Sequence, residues 1–464
     1  MNLQEYYKQN KARFVEELSD FLRIRSISTD VSFKPEMKKA TEWLKKKLTS
    51  MGMDNIKELL PSGEEFKNGN PVIYAEKIFS KDLPTLLVYG HYDVQPADPV
   101  EQWSSDPFEP VVKEDAIFAR GATDNKGQVY TNIAAVEYYI SHVENKRFNI
   151  KFFIEGEEEI GSEVTNRVIE SHEFNEELKA DYAYISDGPW MKHDTPTIEY
   201  SLRGLVYFDL HLKVADFDMH SGIYGNAVLN PANLAAYIVY KLKDIKKNRI
   251  RIPGFYKAVR KPAEEEIEQL NKVSPTWEQI MNETTARAVT KYMRKGMEFT
   301  FLTLTGLRPS FDVHGIESGY REWGNSKTII PGSASLKFSF RLVPFQDPEV
   351  IKKQVEKYLT KIIPKGVEWE LVDLHSAKPY LTDPNNPEFK KLVEAFDEGF
   401  GKKTVFAAMG GSIGLVTTLQ EEYGIVSLLA NYGFPDDRLH APNEKFNLSQ
   451  MEGGFASFIN FASK

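Results

Sequence analysis

The sequence predicts an α/β protein with a mostly parallel central sheet, into which an α+β module is inserted. Two observations carry this prediction. Before Ser201, short β-branched or aromatic runs alternate with helical periodicity, which is typical of layered α/β units. From Leu202 to about Asp383, the strand-like runs instead alternate apolar and polar residues, as in a sheet with one solvated face. The α/β pattern resumes after Asn385.

The elements of the α/β part follow in chain order. The first 60 residues are predicted helical, because apolar residues recur every three or four positions from Ala40 to Met51. Four apolar runs bounded by Gly, Pro or Asp are predicted as strands, and an apolar stripe between the second and third predicts a helix. The strands are Pro71–Ala75, Thr85–Tyr89, Asn149–Ile154 and Asp181–Ile185, and the helix is Val129–Ile140.

The inserted module is predicted from two alternating strands and two helices. These are Val206–Val214, Leu336–Leu342, Pro231–Lys243 and Val350–Ile363. A charged helical elaboration between them contains Glu264–Leu270 and Trp277–Lys295. After the module, Pro387–Gly399 is predicted as a helix and Gly424–Ala430 as a strand.

Composition excludes several classes of protein. The chain has 464 residues, 58 Lys and Arg against 67 Asp and Glu, and a net charge of −9, which argues against a nucleic-acid binder or a polybasic membrane anchor. Cysteine is absent, so disulfides, thiolate metal sites and a Cys nucleophile are excluded. The polar N-terminus lacks the apolar region of a secretory signal, and no run is long enough to span a membrane. We therefore expect a cytoplasmic protein.

Five polar segments lie at or beyond the ends of predicted strands, or in the loops that follow. Each has an ordinary explanation when taken alone: Asp124 could cap a helix, the Glu155–Glu159 run could be a solvated face, and Asp187 could form an Asx turn. However, four carboxylates crowded at the end of a buried strand are costly unless a cation offsets them. The residues singled out are His91, Asp124, Glu159, Asp187 and His440.

These five residues together predict a metal site. The carboxyl edge of an open α/β sheet is where ligands bind. Two histidines and three carboxylates without sulfur suit a pair of divalent ions, one carboxylate bridging them. In His91-Tyr92-Asp93, the first and third side chains point to the same side of an extended chain. The histidine can therefore bind a metal ion while the aspartate orients its imidazole ring.

Six segments resemble the signature blocks of a dinuclear metallopeptidase family. The family includes carnosine dipeptidase, aminoacylase, carboxypeptidase G and succinyl-diaminopimelate desuccinylase. The blocks run in family order from Leu86 to Lys445; they are GHYDVQPA, ARGATDNKGQ, EGEEEIGSE, ISDGPW, MHSGIYGN and HAPNEK. The middle module is most similar to the cytosolic non-specific dipeptidase and carnosinase branch, through RPSFDVHGIESG, TIIPGSASLKFSFRLVP and AKPY.

The resemblance implies a zinc-peptidase-like catalytic domain and an inserted lid and dimerisation domain. The catalytic domain would comprise residues 1–201 and 384–464, and the inserted domain residues 202–383. It also implies two divalent ions per subunit, most often Zn²⁺, with Mn²⁺ or Co²⁺ as substitutes, and a homodimer formed through the inserted domain.

The resemblance further implies a role for each matching residue. His91 and Asp187 would hold one ion, Glu159 and His440 the other, and Asp124 would bridge them. Glu158 would be the general base, and Asp93 would orient His91. His220 would reach the other subunit's site and stabilise the oxyanion, and Arg341 would bind the substrate carboxylate. Substrate-lining positions are Thr328, His375 and Ser412.

The chain departs from this family pattern at two places. The dipeptidase branch usually has Arg-Glu before Gly-Gly-Ser, where this chain has Ala408-Met409, and Glu157 stands where an apolar residue is common. The leading hypothesis is a metal-dependent dipeptidase acting on short substrates with a free carboxylate. The alternatives are an N-acyl-amino-acid deacylase or desuccinylase and, from another class, a non-catalytic binding protein that retains the fold. The presence of Glu158 beside a full ligand set argues against the last.

Overall fold

The computed structural model describes residues 2–284, 286–288, 299–322, 324, 326–411 and 414–464. The chain forms two compact units. Unit 1 comprises Met1–Tyr200, Thr382–Ala407 and Leu415–Lys464, and unit 2 comprises Ser201–Leu381 and Ala408–Gly414. Among the described residues, no helix combines the length and the apolar character that a membrane crossing requires.

The helices of the described residues are, in chain order, α1 (Leu3–Arg23), α2 (Lys34–Ser50), α3 (Lys126–His142), α4 (Glu163–Glu170), α5 (Asn175–Leu178), α6 (Ser221–Tyr224), α7 (Pro231–Leu242), α8 (Glu264–Val273), α9 (Trp277–Thr284), α10 (Phe301–Gly306), α11 (Pro348–Ile362), α12 (Pro387–Phe400), α13 (Gly414–Tyr423) and α14 (Leu448–Ser463).

The strands are β1 (Asp54–Leu59), β2 (Val72–Lys77), β3 (Thr85–His91), β4 (Val111–Lys113), β5 (Ala116–Phe118), β6 (Asn149–Glu155), β7 (Tyr182–Ile185), β8 (Thr197–Leu202), β9 (Gly204–Lys213), β10 (Met219–His220), β11 (Lys243–Asp244), β12 (Arg249–Ile250), β13 (Ser310–Ser318), β14 (Ile329–Ile330), β15 (Ser333–Leu342), β16 (Glu368–Ala377), β17 (Tyr380–Leu381), β18 (Val405–Met409), β19 (Val426–Leu429) and β20 (Lys445–Asn447).

The main sheet of unit 1 has the order β1-β2-β6-β3-β7-β19-β8, and β18 pairs with β8. Its four middle strands, β6, β3, β7 and β19, are parallel to one another. Strands β3 and β6 are buried almost throughout, as expected for parallel strands covered on both faces. This confirms the predicted α/β class with a parallel central sheet.

Helices cover this sheet and bury its apolar side chains. Helix α3 is buried for most of its length, because α1 and α14 pack against it. Phe14 on α1 lies among Tyr7, Tyr130 and Phe455, with ring centroids 5.7 to 6.4 Å apart. These aromatic contacts hold the N-terminal and C-terminal helices on the same central helix, so chain segments distant in sequence share one core.

The prediction that the first 60 residues are helical is wrong at its end. Residues 54–59 form strand β1, which pairs antiparallel with β2. Gly52 adopts a φ of 83°, the left-handed conformation that glycine tolerates and that ends many helices. Helix α2 therefore stops at Ser50, and the chain leaves it as an edge strand.

Unit 2 contains an antiparallel sheet of order β13-β15-β9-β16. Helices α7 and α11 pack on it around buried side chains such as Phe208, Phe338 and Leu359. The predicted strands and helices correspond to β9, β15, α7 and α11, but β13 and β16 were not predicted. Both are edge strands with mostly exposed or half-exposed residues, so the two-residue apolar alternation is weak in them. Of the predicted helix Trp277–Lys295, residues 285 and 289–295 lie outside the described residues.

Candidate metal centre

The parallel strands of unit 1 bring four loops to one edge of the sheet. Strand β3 ends at His91, and β6 ends at Glu155 just before a 3-10 turn, Glu158–Ile160. Strand β7 ends at Ile185, two residues before Asp187, and β19 leads into the loop that carries His440. Because these strands are parallel neighbours, their carboxyl ends lie side by side.

The five predicted ligands meet in two groups that share Asp124. In the first group, His91 Nε2 lies 3.1 Å from Asp124 Oδ1 and 3.7 Å from Asp187 Oδ1. In the second, His440 Nε2 lies 2.9 Å from Asp124 Oδ2 and 3.2 Å from Glu159 Oε2. The ligand atoms of each group lie within 4.8 Å of one another, so either group could hold a metal ion.

Two further observations fit a bound cation. Glu159 Oε1 is buried and has no hydrogen-bond partner among the described residues, so an acceptor is left for a ligand. The competing interpretation of Asp124 as a helix cap does not hold, because α3 begins at Lys126 and Asn125 occupies the capping position. The donor set of imidazole nitrogens and carboxylate oxygens suits Zn²⁺ or Mn²⁺.

Asp93 joins His91 to the turn that carries the glutamates. His91 Nδ1 lies 3.3 Å from Asp93 Oδ1 and 3.0 Å from the Asp93 carbonyl oxygen. The Asp93 carboxylate also accepts the backbone N–H of Glu158 at 3.3 Å and of Glu159 at 3.1 Å. One buried carboxylate therefore orients the imidazole and positions the turn 158–160 beside it.

Two amide side chains next to the ligands were not singled out from the sequence. Asn125 Nδ2 donates to Asp187 Oδ1 at 2.7 Å, and Gln95 Nε2 donates to Glu159 Oε2 at 2.7 Å. The peptide bond between Asp124 and Asn125 is cis. Both amides stand inside the quoted blocks GHYDVQPA and ARGATDNKGQ, which is the one signal that could have identified them.

Glu157, unusual for the family pattern, has a structural explanation. Its carboxylate accepts the backbone N–H of Asn70 at 2.7 Å and of Val164 at 3.1 Å. Val164 lies in the first turn of α4, where backbone N–H groups lack helical partners. Glu157 therefore anchors the start of α4, which follows the turn 158–160. Burial raises the pKa of the Glu157 carboxyl.

Burial and the crowding of carboxylates shift the pKa values of this site. Burial, with Asp187, Asp124 and Glu159 nearby, raises the pKa of Glu158 to about 9, although His91 lowers it. Burial disfavours the charged form of His91, but Asp187 and Asp124 outweigh it and raise the imidazole pKa well above its ordinary value. Hydrogen bonds with Asp124 and Glu159 raise the pKa of His440 to about 10. The neighbouring carboxylates thus favour the positively charged form of both histidines.

The remaining predicted site residues belong to unit 2. His220 is exposed on β10, opposite Ile329 of β14, and its Nδ1 accepts the Gly222 N–H at 3.0 Å. The Thr328 carbonyl accepts the Ser221 N–H at 3.2 Å, in the same short ladder. Arg341 lies on β15, and His375 lies on β16. Ser412 lies outside the described residues.

A second arginine of unit 2 lies near Arg341. Arg203 donates from Nε to the Gly410 carbonyl at 3.2 Å and from Nη1 to the Arg308 carbonyl at 3.3 Å. Burial and the Arg341 charge lower the pKa of Arg203 to about 10. The Asp312 carboxylate acts on both arginines in the opposite direction, so this part of unit 2 contains charges of both signs.

The Ala408-Met409 departure is explained in part by packing. Ala408 is fully buried, and a Cβ added at Gly306 would lie 2.2 Å from the Ala408 carbonyl oxygen. Helix α10 therefore approaches the backbone of residue 408 directly, and a longer side chain at this fully buried position would require its neighbours to move.

Comparisons with known proteins give a consistent result. Residues 87–464 match the sequence profile described as peptidase family M20/M25/M40. Human beta-Ala-His dipeptidase is 31% identical over 471 residues, covering 98% of this chain and 91% of the relative. The Cys-Gly metallodipeptidase DUG1 of Saccharomyces cerevisiae is 28% identical over 470 residues, covering 98% and 96%.

Solved structures agree with the sequence relatives. Human carnosine dipeptidase 1 superposes with a TM-score of 0.78 at 28% identity, over 100% of this chain and 98% of that one. The M20 family metallo-carboxypeptidase Sso-CP2 from Sulfolobus solfataricus superposes with a TM-score of 0.82 at 30% identity, over 97% and 98%. From the matched profile and these full-length similarities, the chain belongs to peptidase family M20/M25/M40 and is a hydrolase.

Proposed function

We propose that the chain hydrolyses dipeptides that carry a free C-terminal carboxylate, using two divalent metal ions. The single observation that supports this most is the arrangement of five ligands in two groups that share Asp124, with Glu158 beside them. The relatives named as beta-Ala-His dipeptidase and Cys-Gly metallodipeptidase favour a dipeptide substrate and do not favour the deacylase alternative.

In this proposal His91 and Asp187 would hold one ion, Glu159 and His440 would hold the other, and Asp124 would belong to both ligand sets. Zn²⁺ is our first choice, because imidazole and carboxylate ligands without sulfur suit it; Mn²⁺ and Co²⁺ suit the same donors. When bound, a pair of such ions lowers the pKa of water and polarises the scissile carbonyl.

Glu158 is proposed as the general base. It forms a group with His91 and Glu159 within 4.8 Å, and yet it is not needed to complete either ligand group around Asp124. A carboxylate there can accept a proton from water and deliver it to the leaving nitrogen. Asp93 supports this step by holding the turn 158–160 through two backbone N–H groups.

Unit 2 is proposed to supply substrate recognition. Arg341 would bind the terminal carboxylate, since a planar guanidinium grips a carboxylate through two hydrogen bonds, and the nearby Arg203 adds positive charge. His220 would stabilise the oxyanion in the other subunit of a homodimer. Thr328, His375 and Ser412 would line the substrate. These roles are carried from the family resemblance, whereas a cytoplasmic location is proposed because the sequence predicts it.

A homodimer through unit 2 is supported by apolar side chains left exposed on it. Phe217 is 72% exposed and Ile223 is 69% exposed, on either side of His220. Ile316 on the edge strand β13 is 53% exposed. Exposed apolar side chains, one of them on a strand that ends its sheet among the described residues, are typical of a surface that another chain covers.

A carboxypeptidase is the second candidate. It is favoured by the similarity to Sso-CP2, which is named a metallo-carboxypeptidase. A dipeptidase needs a free amino group at the residue before the scissile bond, whereas a carboxypeptidase accepts a blocked one. Both need the free carboxylate, so the two candidates differ in one chemical feature of the substrate.

The test is hydrolysis by metal-loaded protein of free dipeptides, N-blocked dipeptides, C-amidated dipeptides and N-acetyl or N-succinyl amino acids. We expect turnover of free dipeptides alone, its loss after exhaustive chelation and its return with Zn²⁺ or Mn²⁺. Turnover of N-blocked dipeptides would favour the carboxypeptidase, and turnover of acylated amino acids the deacylase. Activity that survives verified removal of metal would contradict the proposal.

A further inference from the structure

Glu444 is a buried carboxylate that contacts the backbone of the shared ligand. Its Oε1 accepts the N–H of Thr123 at 2.9 Å and of Asp124 at 3.0 Å. Its Oε2 accepts the N–H of Gly121 at 3.0 Å and Arg120 Nη1 at 2.7 Å. Glu444 is fully buried and Arg120 nearly so, which excludes water from replacing these bonds.

The same contacts join the two loops that carry Asp124 and His440. Glu444 ends the loop of His440, and its own carbonyl accepts the Ala119 N–H at 3.1 Å. Thr123 Oγ1 donates to Asp437 Oδ2 at 2.8 Å on the other side of that loop. The hydrogen bonds therefore determine where the backbone of Asp124 lies relative to His440, four residues before Glu444.

A carboxylate suits this position and a neutral amide does not. Two carboxylate oxygens accept four N–H groups, three from the backbone and one from a guanidinium. A glutamine has one acceptor oxygen, which the charged Arg120 would attract. Its NH₂ group would then face the N–H groups of Thr123 and Asp124 and push the Asp124 backbone away.

We propose that Glu444 is a positioning residue that holds Asp124 where both of its carboxylate oxygens reach a separate ligand group. The inference rests on the proposed function, because a shared ligand matters only where two ions bind. Loss of such supporting contacts typically weakens metal binding about 10- to 100-fold. The weaker ion is expected to be the one that also depends on His440, since Glu444 joins these two loops.

The test compares wild type with Glu444→Gln by Co²⁺ titration, followed through the visible absorption of the bound ion. Wild type is expected to show two tight binding steps, and the variant one tight step and one about 10- to 100-fold weaker. With dipeptide, kcat should fall while KM changes little, because the substrate contacts are intact. Amide hydrogen exchange at residues 121–124 should accelerate in the variant without metal.

Glu388→Gln is the matched control. Glu388 is also buried and pairs with an arginine, Arg147, but it lies at the start of α12 and contacts Lys391. Its substitution should lower the unfolding temperature as the Glu444 change does, yet leave both Co²⁺ steps and the exchange at residues 121–124 as in wild type. This separates a positioning role from a general loss of stability.

The outcomes distinguish this inference from the function on which it rests. Two Co²⁺ steps of wild-type affinity in Glu444→Gln, with unchanged exchange at residues 121–124, would overturn the inference and leave the dinuclear function intact. Fewer than two ions bound to wild type would instead contradict the dinuclear function itself. A weaker second step in Glu388→Gln would also overturn the inference, since the effect would follow from burial alone.

Discussion

At the scale of single residues, three consecutive glutamates have three different surroundings. Glu157 accepts backbone N–H groups of two neighbouring segments, whereas Glu159 meets His440 and Gln95. Glu158 lies between them, and burial raises the pKa of its carboxyl to about 9. The 3-10 turn at Glu158–Ile160 points the three side chains toward different neighbours. Glu157 therefore has a structural role, whereas Glu158 is proposed as the base and Glu159 as a ligand.

Glu158→Gln should remove the general base without removing a ligand. We expect kcat to fall by about 10²- to 10⁴-fold with metal content near two ions per chain, because the proton acceptor is lost while both groups around Asp124 remain. Kinetics and elemental analysis of the same sample check this. Glu163→Gln, an exposed change in the first turn of α4, is the control and should keep wild-type activity. An unchanged rate in Glu158→Gln would rule out the base assignment.

The candidate metal ligands are easier to predict from the sequence than the residues that position them. His91 and Asp187 could be predicted because each follows a recognisable strand, and strand ends of a parallel sheet share an edge. Gln95 and Asn125 could be identified only as members of the quoted blocks, because an amide side chain has no chemical pattern of its own before its partner is known. Glu444 is the extreme case, since the backbone N–H groups that it accepts lie 320 to 323 positions earlier in the chain.

At the scale of elements, an ion network ties α1, α2 and α3 together. Lys47 on α2 is nearly buried and contacts Glu17 at 2.5 Å and Glu137 at 2.6 Å. Arg13 contacts the same two carboxylates at 2.9 Å and 2.5 Å, and Tyr130 donates to Glu17. Each charge has more than one partner, which is the arrangement in which partly buried ion pairs contribute to stability.

Glu17→Gln should lower the free energy of unfolding by about 1–3 kcal/mol near neutral pH. Burial raises the pKa of Glu17, but hydrogen bonds from Lys47 and Tyr130 outweigh it and lower the pKa below its ordinary value of 4.5. A lowered carboxyl pKa contributes stability that is present above the ordinary value and is lost as pH falls through the folded-state value. The difference between wild type and variant should therefore shrink on acidification below 4.5.

Urea denaturation over a pH series measures this difference. Glu16→Gln, one residue earlier on α1 and exposed, is the control and should change the free energy of unfolding by less than about 0.5 kcal/mol at every pH. A Glu17→Gln variant whose deficit stays constant, or grows, toward acid pH would show that the network does not depend on the charge of Glu17.

Edge strands are among the elements that sequence reasoning missed, although the buried strand β8 was not predicted either. The buried strands β3, β6 and β7 were predicted within a few residues, because an uninterrupted apolar run is visible locally. Strands β1, β13 and β16 lie at sheet edges and have mostly exposed or half-exposed residues. Their strand character comes from the hydrogen bonds of a neighbouring strand, so a local pattern does not reveal it.

At the scale of the whole molecule, the proposed dimer makes a prediction about shared sites. His220→Ala and Glu158→Gln should each be inactive as pure proteins. If His220 acts in the partner's site, a mixed dimer of the two variants contains one site with both residues intact. After subunit exchange we expect about a quarter of wild-type activity, because half of the dimers are mixed and each has one complete site of two.

Subunit exchange must be verified separately, for example by mass spectrometry of differently labelled chains. A mixture of wild type and Glu158→Gln is the control, because its subunits exchange but no additional complete site is formed. Verified mixed dimers with no recovered activity would show that each chain completes its own site, and the role proposed for His220 would then be wrong.

The sequence by itself determined the fold class, the candidate ligand residues and the edge of the sheet at which those residues gather, because strand ends and apolar runs are properties of short segments. Only the tertiary structure decided that Glu157 accepts backbone N–H groups rather than joining either ligand group, and that Glu444 accepts the backbone N–H groups of the loop that carries Asp124. Those pairings join groups far apart along the chain. They depend on which hydrogen-bond donor meets which acceptor once the core has closed, and no local pattern of residues encodes that.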